Sequence, residues 1–399
     1  MNRLGAVDGM RGYFLVFMVL NHLAFQGGYL LVKVNHGELG YVQDAQGFVF
    51  LSGLLVGMVY ARQMVKRGYD HAAAKMRWRA GELYLWSLVC IGTIFLLGFL
   101  LPASSDYWSP WLWQLADHDP AFLAASATLL YQPTYMDILP QYMVYLLVAP
   151  PLVWLCVTGR WMHVAAGSAL MWLAVQFGLH LPLRDAVHAG MQSLHPDLEL
   201  RAHFNVFAWQ AVFISGLVLG ALTSTKQIDW GRVMSRATAP FAGLALAIVV
   251  FFMAWRLAVT FEVMPEAVMA RFAAQDVRGE FSLQYLLNFS ALAFVVAWTM
   301  IAGPQSESRI VQGAARLLHG VFGLPVLQLI GRHSLHVYVF HVIMIYLIVA
   351  FDHAVGPFGE MTKTLIAVLA VAALVIPALW RERGRPALAG LFARGVPAG

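Results

Sequence analysis

Charged residues are scarce in this sequence and cysteine is nearly absent. Asp, Glu, Lys and Arg make up 12% of the 399 residues and apolar residues 60%, whereas a typical soluble domain has about 25% charged residues. The apolar residues form repeated runs that fill most of the chain and leave no loop long enough for a separate soluble domain. These features exclude an ordinary soluble enzyme and indicate a multi-pass membrane protein.

Several kinds of functional site have no signature in the sequence. Cys90 and Cys156 both fall inside apolar runs, so we expect neither a disulfide nor a thiolate metal site. There is no glycine-rich phosphate loop, no His-Glu-x-x-His motif and no Cys/His ligand set, which argues against ATP hydrolysis and a metal centre. The net charge of +5 comes from basic residues in short loops, so we expect no nucleic-acid partner.

The apolar runs predict an all-α integral membrane protein with about ten transmembrane helices. Lys and Arg concentrate on one side of these helices, which places both termini in the cytoplasm. A further apolar segment, 111–131, would reverse every later loop if it crossed the membrane, so we expect it to be re-entrant or interfacial. In this prediction residues 1–381 form one membrane domain and 382–399 a short cytoplasmic tail. The predicted spans are 9–31, 45–62, 80–101, 138–158, 161–181, 204–224, 239–260, 284–303, 326–350 and 362–381.

The first span carries ionisable residues that are costly in lipid. Arg11 and His22 are eleven residues apart, which in a helix places them on one face and about 16 Å apart along the axis. Asp8 precedes Arg11 by one turn. An ionisable residue inside a membrane helix is a candidate functional group, although a histidine that only packs between helices is the alternative. A neutral imidazole in a dry site is a usable general base.

Polar residues also open spans two and four from the predicted outer side. Asp44 and Ser52 share a face of the second span, with the carboxylate at the mouth and the hydroxyl deeper. Close packing of the small Ser52-Gly53 pair is the alternative explanation. Asp137 and Gln141 open the fourth span, where the carboxylate either orients a sugar hydroxyl or is only a favourable charge at a helix start.

Three further groups complete the candidate residues. Asn205 and Gln210 begin the sixth span on the outer side, and amides in lipid need partners. Ser334 and His341 share a face of the ninth span. At the start of the third span, two arginines could clamp phosphates of a nucleotide-bearing donor or simply meet lipid headgroups; they are Arg77 and Arg79.

Together these segments resemble the acyltransferase-3 superfamily of membrane acyltransferases. The likeness lies in an Asp-Gly-x-Arg-Gly opening, an Arg and a His with ten residues between them in the first span, a Phe-x-Ser-Gly segment, an Arg-x-Arg and a late Gly-Arg-x-Ser segment with a following His. Within the superfamily the chain looks most like the OpgC family, which succinylates osmoregulated periplasmic glucans. The segments are Val7-Asp8-Gly9-Met10-Arg11-Gly12 with His22, Phe50-Leu51-Ser52-Gly53, Arg77 and Arg79, Gly331-Arg332-His333-Ser334 with His341, Asp137-Ile138-Leu139-Pro140-Gln141-Tyr142, and Phe204-Asn205 with Trp209-Gln210.

The resemblance implies an O-acyltransferase in the bacterial inner membrane. It would move a succinyl group from cytoplasmic succinyl-CoA, a co-substrate rather than a bound cofactor, to hydroxyls of a periplasmic glucan. His22 would either deprotonate the hydroxyl or carry the acyl group transiently. We predict His22, Arg11, Asp8 and Asp44 as catalytic, Arg11, Ser52, Arg77 and Arg79 as binding the acyl-CoA, and Asp44, Asp137, Gln141, Asn205, Gln210, Ser334 and His341 as binding substrate.

Two other functions remain open at this point. One is a proton-coupled transporter in which His22, Asp44 and His341 form a relay, although the sequence lacks an internal repeat and matched broken spans. The other is a non-catalytic scaffold for glucan synthesis, which buried polar groups on several spans disfavour. The partners we expect are the glucan, acyl-CoA and the lipid bilayer. The oligomeric state is open, with a homo-oligomer as one alternative.

Overall fold

The computed structural model describes residues 3–33, 35–101, 103–273 and 276–382, and about 80% of the chain is helical. The predicted tail lies outside the described residues except for Glu382, which is still helical. The α-helices in chain order are α1 Arg3–His22, α2 Asp44–Arg67, α3 Tyr69–Leu100, α4 Ser104–Leu112, α5 Pro120–Ala127, α6 Ile138–Val157, α7 Trp161–Gln176, α8 Leu181–Leu194, α9 Val206–Ser224, α10 Trp230–Val233, α11 Ala239–Thr260, α12 Glu266–Ala273, α13 Leu283–Ile301, α14 Arg309–Phe322, α15 Pro325–Arg332, α16 Ser334–Val355, α17 Glu360–Ala373 and α18 Val375–Glu382. Short 3₁₀ helices occur at Leu30–Lys33, His36–Leu39, Trp113–Asp117, Arg236–Thr238 and Gly303–Gln305.

The predicted all-α membrane class is confirmed. Eight helical segments in the described ranges are long and apolar enough to cross a bilayer, and two bent pairs raise the number to ten if each pair is one span. The pairs are α7 with α8, which bend by 69°, and α14 with α15, which bend by 55°. Gly178, whose φ is 71°, lies at the first bend and allows the left-handed backbone that turns the chain there.

The first predicted span, 9–31, is wrong in its extent. Helix α1 runs from Arg3 to His22 and is not among the segments apolar enough to qualify as a span. Its polar residues lower its hydropathy, and the chain turns at Gly27 and Gly28, both of which have positive φ. His22 is therefore the last residue of its helix rather than a mid-helix residue. The predicted span 326–350 is likewise divided, because α15 ends at Arg332 and α16 begins at Ser334.

Segment 111–131 contains no helix long enough to cross a membrane. Its residues belong to the end of α4, a 3₁₀ turn and the eight-residue α5. Trp113 and His118 adopt positive φ between these pieces and interrupt any continuous helix. The expectation that this segment is not a full span is confirmed, and its position relative to the lipid stays a prediction.

The chain divides into two compact units. The first, here called the terminal unit, contains Met1–Asn35 and Gly303–Gly399, and the second, the central unit, is His36–Ala302. In the terminal unit α1 packs against α14, α15, α16 and α17. The backbones of α1 and α15 touch, because a Cβ on Gly12 would lie 2.0 Å from the Leu327 carbonyl oxygen and one on Gly331 would lie 1.8 Å from that of Asp8. Only glycine fits at such a contact.

The central unit is built around the contact between α2 and α9. Glycines on both helices bring the backbones together, in the small-residue packing typical of membrane helices. A Cβ on Gly53 would lie 2.0 Å from the Phe213 carbonyl oxygen, and one on Gly216 would lie 2.2 Å from that of Phe50. Close packing therefore explains Gly53 of the Ser52-Gly53 pair. It does not explain the Ser52 hydroxyl.

Candidate functional site

Two polar contacts join α1 to α16 inside the terminal unit. The Arg11 guanidinium donates a hydrogen bond to the Ser334 hydroxyl oxygen at 2.6 Å. Farther along both helices, His22 Nδ1 lies 3.3 Å from His341 Nε2, and the two rings stack with centroids 5.4 Å apart. Because both contacts advance in the same chain direction, α1 and α16 run parallel. Four residues predicted from sequence are thus brought together in two pairs.

The surroundings of His341 favour one tautomer of the histidine pair. His341 is fully buried, and the backbone carbonyls of Val337 and Tyr338 lie near its ring, although its Nδ1 makes no hydrogen bond of ordinary geometry to a described residue. Nearby carbonyl oxygens favour a proton on Nδ1 of His341, and in that tautomer Nε2 accepts the proton of His22 Nδ1. With Nδ1 of His22 carrying its proton, Nε2 of His22 is the nitrogen that can act as a base. The packing of α16 therefore orients the half-buried His22 ring.

Asp8 lies at the other end of α1. Its charge neighbours are Arg11, Arg332 and His333, all in the terminal unit. Fourteen residues separate Asp8 from His22, about 21 Å along the helix, so the two side chains cannot touch. His333 Nε2 lies 2.8 Å from the buried Glu382 carboxylate, which ties α18 to the start of α16. Asp8 can therefore act on His22 only indirectly, and a catalytic role for it remains a prediction.

A second set of contacts fixes the turn that follows His22. The Gln26 backbone N–H donates to the Asp352 carboxylate at 2.7 Å. The Lys363 ammonium is buried and donates to the carbonyls of Gln26 and Gly28, at 2.9 Å and 2.7 Å. The sequence reasoning missed Asp352 and Lys363, although an ionisable residue near the end of each apolar run was a usable signal. These contacts hold the end of α1 in place.

In the central unit, four polar side chains form a cluster where α2 and α6 begin. We call Asp44, Asp137, Gln141 and Arg278 the polar cluster. The first three were predicted from sequence, and Arg278, in the loop before α13, was not singled out. The guanidinium of Arg278 interacts electrostatically with both carboxylates. His36 Nε2 lies 3.3 Å from Asp44 Oδ1, and burial lowers the pKa of His36 to about 4, so this imidazole is neutral at pH 7.

Burial sets the electrostatics of the polar cluster. Asp137 is 5% exposed, and desolvation raises its pKa to about 6, against 3.8 for an ordinary Asp. Desolvation also lowers the pKa of Arg278, which still leaves the guanidinium charged at neutral pH. Within the described ranges, Asp137 Oδ2, Arg278 Nε and both amide atoms of Gln141 are buried without a hydrogen-bond partner. Such groups are costly unless a ligand or water satisfies them.

A small cavity lies next to the polar cluster. It is lined by residues of α2, α6 and α9, among them Ser52, Tyr142 and Tyr145. The Ser52 hydroxyl is buried and, as far as the structure describes the chain, makes no hydrogen bond. Ser52 therefore faces space inside the central unit, and its predicted contact with an acyl donor remains a prediction.

Asn205 and Gln210 have partners within the fold. The Asn205 carboxamide oxygen caps α9 by accepting from the Phe207 and Ala208 amides, and its nitrogen donates to Glu280 at 2.7 Å. The side chain of Gln210 accepts from the Ser168 hydroxyl and donates to the Ser168 carbonyl. These contacts join α9 to neighbouring segments. They explain the presence of both amide side chains without any ligand. Their predicted contact with substrate remains a prediction.

The two predicted phosphate-binding arginines do not share a face. Arg77 and Arg79 lie inside α3, which begins earlier than predicted, at Tyr69. Residues two apart in a helix point in different directions. Arg77 is exposed, whereas Arg79 is half-buried and forms an ion pair with Glu82. Their predicted contact with the phosphates of an acyl donor remains a prediction.

Comparison with known proteins gives one result. No curated protein and no solved structure matches the chain. One protein family, described as OpgC protein, matches residues 3–385. That match spans both the paired contacts of the terminal unit and the polar cluster of the central unit. The chain, a multi-pass α-helical membrane protein, therefore belongs to the OpgC family.

Proposed function

We propose that the protein is a membrane O-acyltransferase that moves a succinyl group from succinyl-CoA to hydroxyls of a periplasmic glucan. The observation that carries the proposal is the contact between His22 and His341, which orients a general base at the end of α1. Membership of the OpgC family supports a transferase that modifies glucans. The proposal includes relationship to the acyltransferase-3 superfamily and a place in the bacterial inner membrane.

In the proposed reaction His22 takes the proton of the attacking hydroxyl. The hydroxyl oxygen forms a bond to the thioester carbonyl carbon, and the carbon–sulfur bond then breaks. The departing thiolate takes the proton from the His22 imidazolium and leaves as CoA thiol, so that atoms and charge balance. General-base assistance of this kind is worth about 10²–10⁴-fold in rate. Transient transfer of the acyl group to His22 is the alternative route.

His341 and Arg11 have supporting roles in this proposal. His341 holds the His22 ring in one tautomer and shares the positive charge that forms on the imidazolium. Arg11, fixed by Ser334, is the cation of the terminal unit offered to the acyl-CoA, about 16 Å along α1 from His22. Asp8 is a positioning residue for Arg11.

The remaining predicted residues bind the two substrates. The exposed Arg77 meets the phosphates of the acyl-CoA, with Arg79 and Ser52 as further donor contacts. Asp44, Asp137 and Gln141 bind the acceptor, because buried carboxylates and amides match sugar hydroxyls, and Asp137 Oδ2 and the Gln141 amide make no hydrogen bond to a described residue. Asn205 and Gln210 are the other predicted acceptor residues. They would affect acceptor binding indirectly, by positioning α9.

The proposal is tested with purified protein in nanodiscs, succinyl-CoA and unsubstituted periplasmic glucan. Wild-type protein should release CoA thiol only when glucan is present, and mass spectrometry should find succinyl esters on the glucan. His22→Ala should lose about 10²-fold or more of this rate. His163→Ala, which removes an exposed histidine of α7, should keep it. Release of no thiol by the wild type, or equal rates for His22→Ala and wild type, would overturn the proposal.

The histidine contact also favours a second candidate, a proton-coupled transporter. Two stacked imidazoles can pass a proton, and His22 and His341 were two of the three residues in the predicted relay. A transporter would show counterflow of solute in proteoliposomes without acyl-CoA. An acyltransferase would show none, so one assay separates the two.

A further inference from the structure

Arg278 lies in the loop between α12 and α13 and is the one cation of the polar cluster. Its guanidinium has no hydrogen bond or ion pair of ordinary length within the described parts of the chain, and its Nε is buried. Its neighbours include Tyr285, Asp137 and Asp44, which interact with it by charge. The centroid of the Phe204 ring is 5.4 Å from the guanidinium carbon. A guanidinium in this position has donors that no described side chain or carbonyl accepts.

Further buried polar atoms belong to Asp137 and Gln141, one helical turn apart at the start of α6. Gln141 is 6% exposed, and its amide lies beside the Tyr145 hydroxyl without a hydrogen bond of ordinary geometry to any described residue. Asp137 Oδ2 is an acceptor in the same condition. The cluster thus presents the Gln141 amide, Asp137 Oδ2 and Arg278 Nε without hydrogen-bond partners among the described residues, and these atoms together both donate and accept.

The charge balance selects the class of ligand. The guanidinium supplies one positive charge, and the carboxylates of Asp44 and Asp137 supply up to two negative charges. His36 adds none at neutral pH, since its imidazole is uncharged there. An anionic ligand would be repelled by such a set, and a cationic one would meet Arg278. A neutral polyhydroxyl ligand is favoured, because each hydroxyl can donate to a carboxylate and accept from the guanidinium or amide.

An aromatic pair adjoins the cluster. Tyr135 interacts with Arg278, and its ring meets that of Trp111 edge to face, with centroids 5.2 Å apart. Both rings are half-buried. Half-exposed Trp and Tyr rings combine an apolar face with a polar edge, which suits the two faces of a sugar ring.

We infer that Asp137, Gln141 and Arg278 form a binding subsite for one neutral hexose unit of the acceptor glucan, with Arg278 as its specificity-determining residue. The inference rests on the proposed function for the identity of the acceptor. It adds Arg278, which the sequence did not single out, and it predicts which hexose units can bind. The subsite accepts an unsubstituted hexose and rejects one that already carries an acidic substituent, because the two aspartates repel it.

The test measures binding without the acyl donor. Unsubstituted periplasmic glucan is titrated into protein in nanodiscs by calorimetry, beside the same glucan after chemical succinylation. Wild-type protein should bind the neutral glucan at least 10-fold more tightly. Arg278→Met should weaken binding of the neutral glucan about 10-fold or more, since hydrogen bonds from a charged donor are lost. Arg278→Lys should give an intermediate loss, because the charge stays and the planar fork is lost.

Two controls keep the outcome clear. Arg184→Met removes an exposed arginine of the same unit, paired only with Asp185 among the groups described, and should bind glucan as wild type. Gln141→Leu should weaken binding without any change in charge. Equal affinity of Arg278→Met, Arg278→Lys and wild type, or tighter binding of the succinylated glucan, would overturn the subsite. If glucan binds as expected but no CoA thiol is released, the proposed transferase fails while the subsite stands.

Discussion

His22 Nδ1 lies 3.3 Å from His341 Nε2, across a contact between residues 319 positions apart in the chain. The ring of His341 is fully buried and that of His22 is half-buried. His341 is therefore held by its surroundings, whereas part of the His22 ring is accessible. Tyr338 packs its ring against His341, with centroids 4.9 Å apart, which further limits the support's movement. This arrangement fits the proposed roles of His22 as the base and His341 as the group that orients it.

If the two histidines act as a unit, their substitutions should not add. We expect His22→Ala to lower turnover about 10²–10⁴-fold and His341→Ala to lower it by a smaller factor. The double variant should be no slower than His22→Ala alone, because the support has no function without the base. Rates of CoA thiol release for the four proteins measure this. Losses that multiply in the double variant would show two independent roles.

The hydrogen bond between Arg11 and Ser334 predicts a separable effect on the donor. Arg11→Met should raise the KM for succinyl-CoA about 10–100-fold, the loss expected for charge-assisted hydrogen bonds, and leave the KM for glucan unchanged. Ser334→Ala should raise the same KM by a smaller factor. Ser308→Ala, at the exposed start of α14, is the matched control. A change in the glucan KM alone would contradict this assignment of Arg11.

The sequence predicts part of this site because a helix has a fixed period. Arg11 and His22 were placed on one face of α1 by spacing alone, and Ser334 and His341 on one face of α16. The pairing of the two faces depends on packing between distant segments, which no local pattern encodes. Arg278 was missed for the same reason, since in the sequence it is one arginine in a polar loop.

The error in the first span has a local cause. The apolar residues from Leu23 to Leu31 continue the hydropathy of α1, so composition alone extends the helix through them. The turn at Gly27 and Gly28 prevents the helix from continuing. Lys363, which binds carbonyls of this turn, lies in α17 and is distant in the sequence. Hydropathy reports the environment of a segment and not its backbone path.

The contact between α1 and α15 predicts a large cost for one added methyl group. Gly331→Ala would place a Cβ 1.8 Å from the Asp8 carbonyl oxygen, so the helices must separate. We expect a loss of about 1–3 kcal/mol of stability, typical of an overpacked core, and a lower Tm in nanodiscs. Gly320→Ala in α14 meets no atom within 4 Å and should leave the Tm equal or higher, because alanine favours the helix. A Tm for Gly331→Ala at or above wild type would refute the contact.

Asp137 predicts a pH dependence with a definite sign. Its pKa is about 6 in the folded protein and 3.8 in an unfolded chain, so between these values the folded state binds more protons. The contribution of this carboxyl to stability is therefore fully present below about pH 3.8 and is lost as the pH rises through about 6. Ionisation of Asp137 should therefore lower the Tm of the wild type as the pH rises through about 6. Asp137→Asn cannot ionise, so it should not show this decrease and should have a higher Tm than the wild type at pH 7.

The same titration should appear in acceptor binding. Above pH 6 the ionised Asp137 is a pure acceptor of hydroxyl protons, and below pH 6 its neutral form also donates. The glucan KM of the wild type should therefore change across pH 5–7, whereas the KM for succinyl-CoA should not change through this group. In Asp137→Asn the glucan KM should stay flat over the same range. A glucan KM that changes equally in wild type and variant would assign the titration to another group and remove Asp137 from the acceptor site.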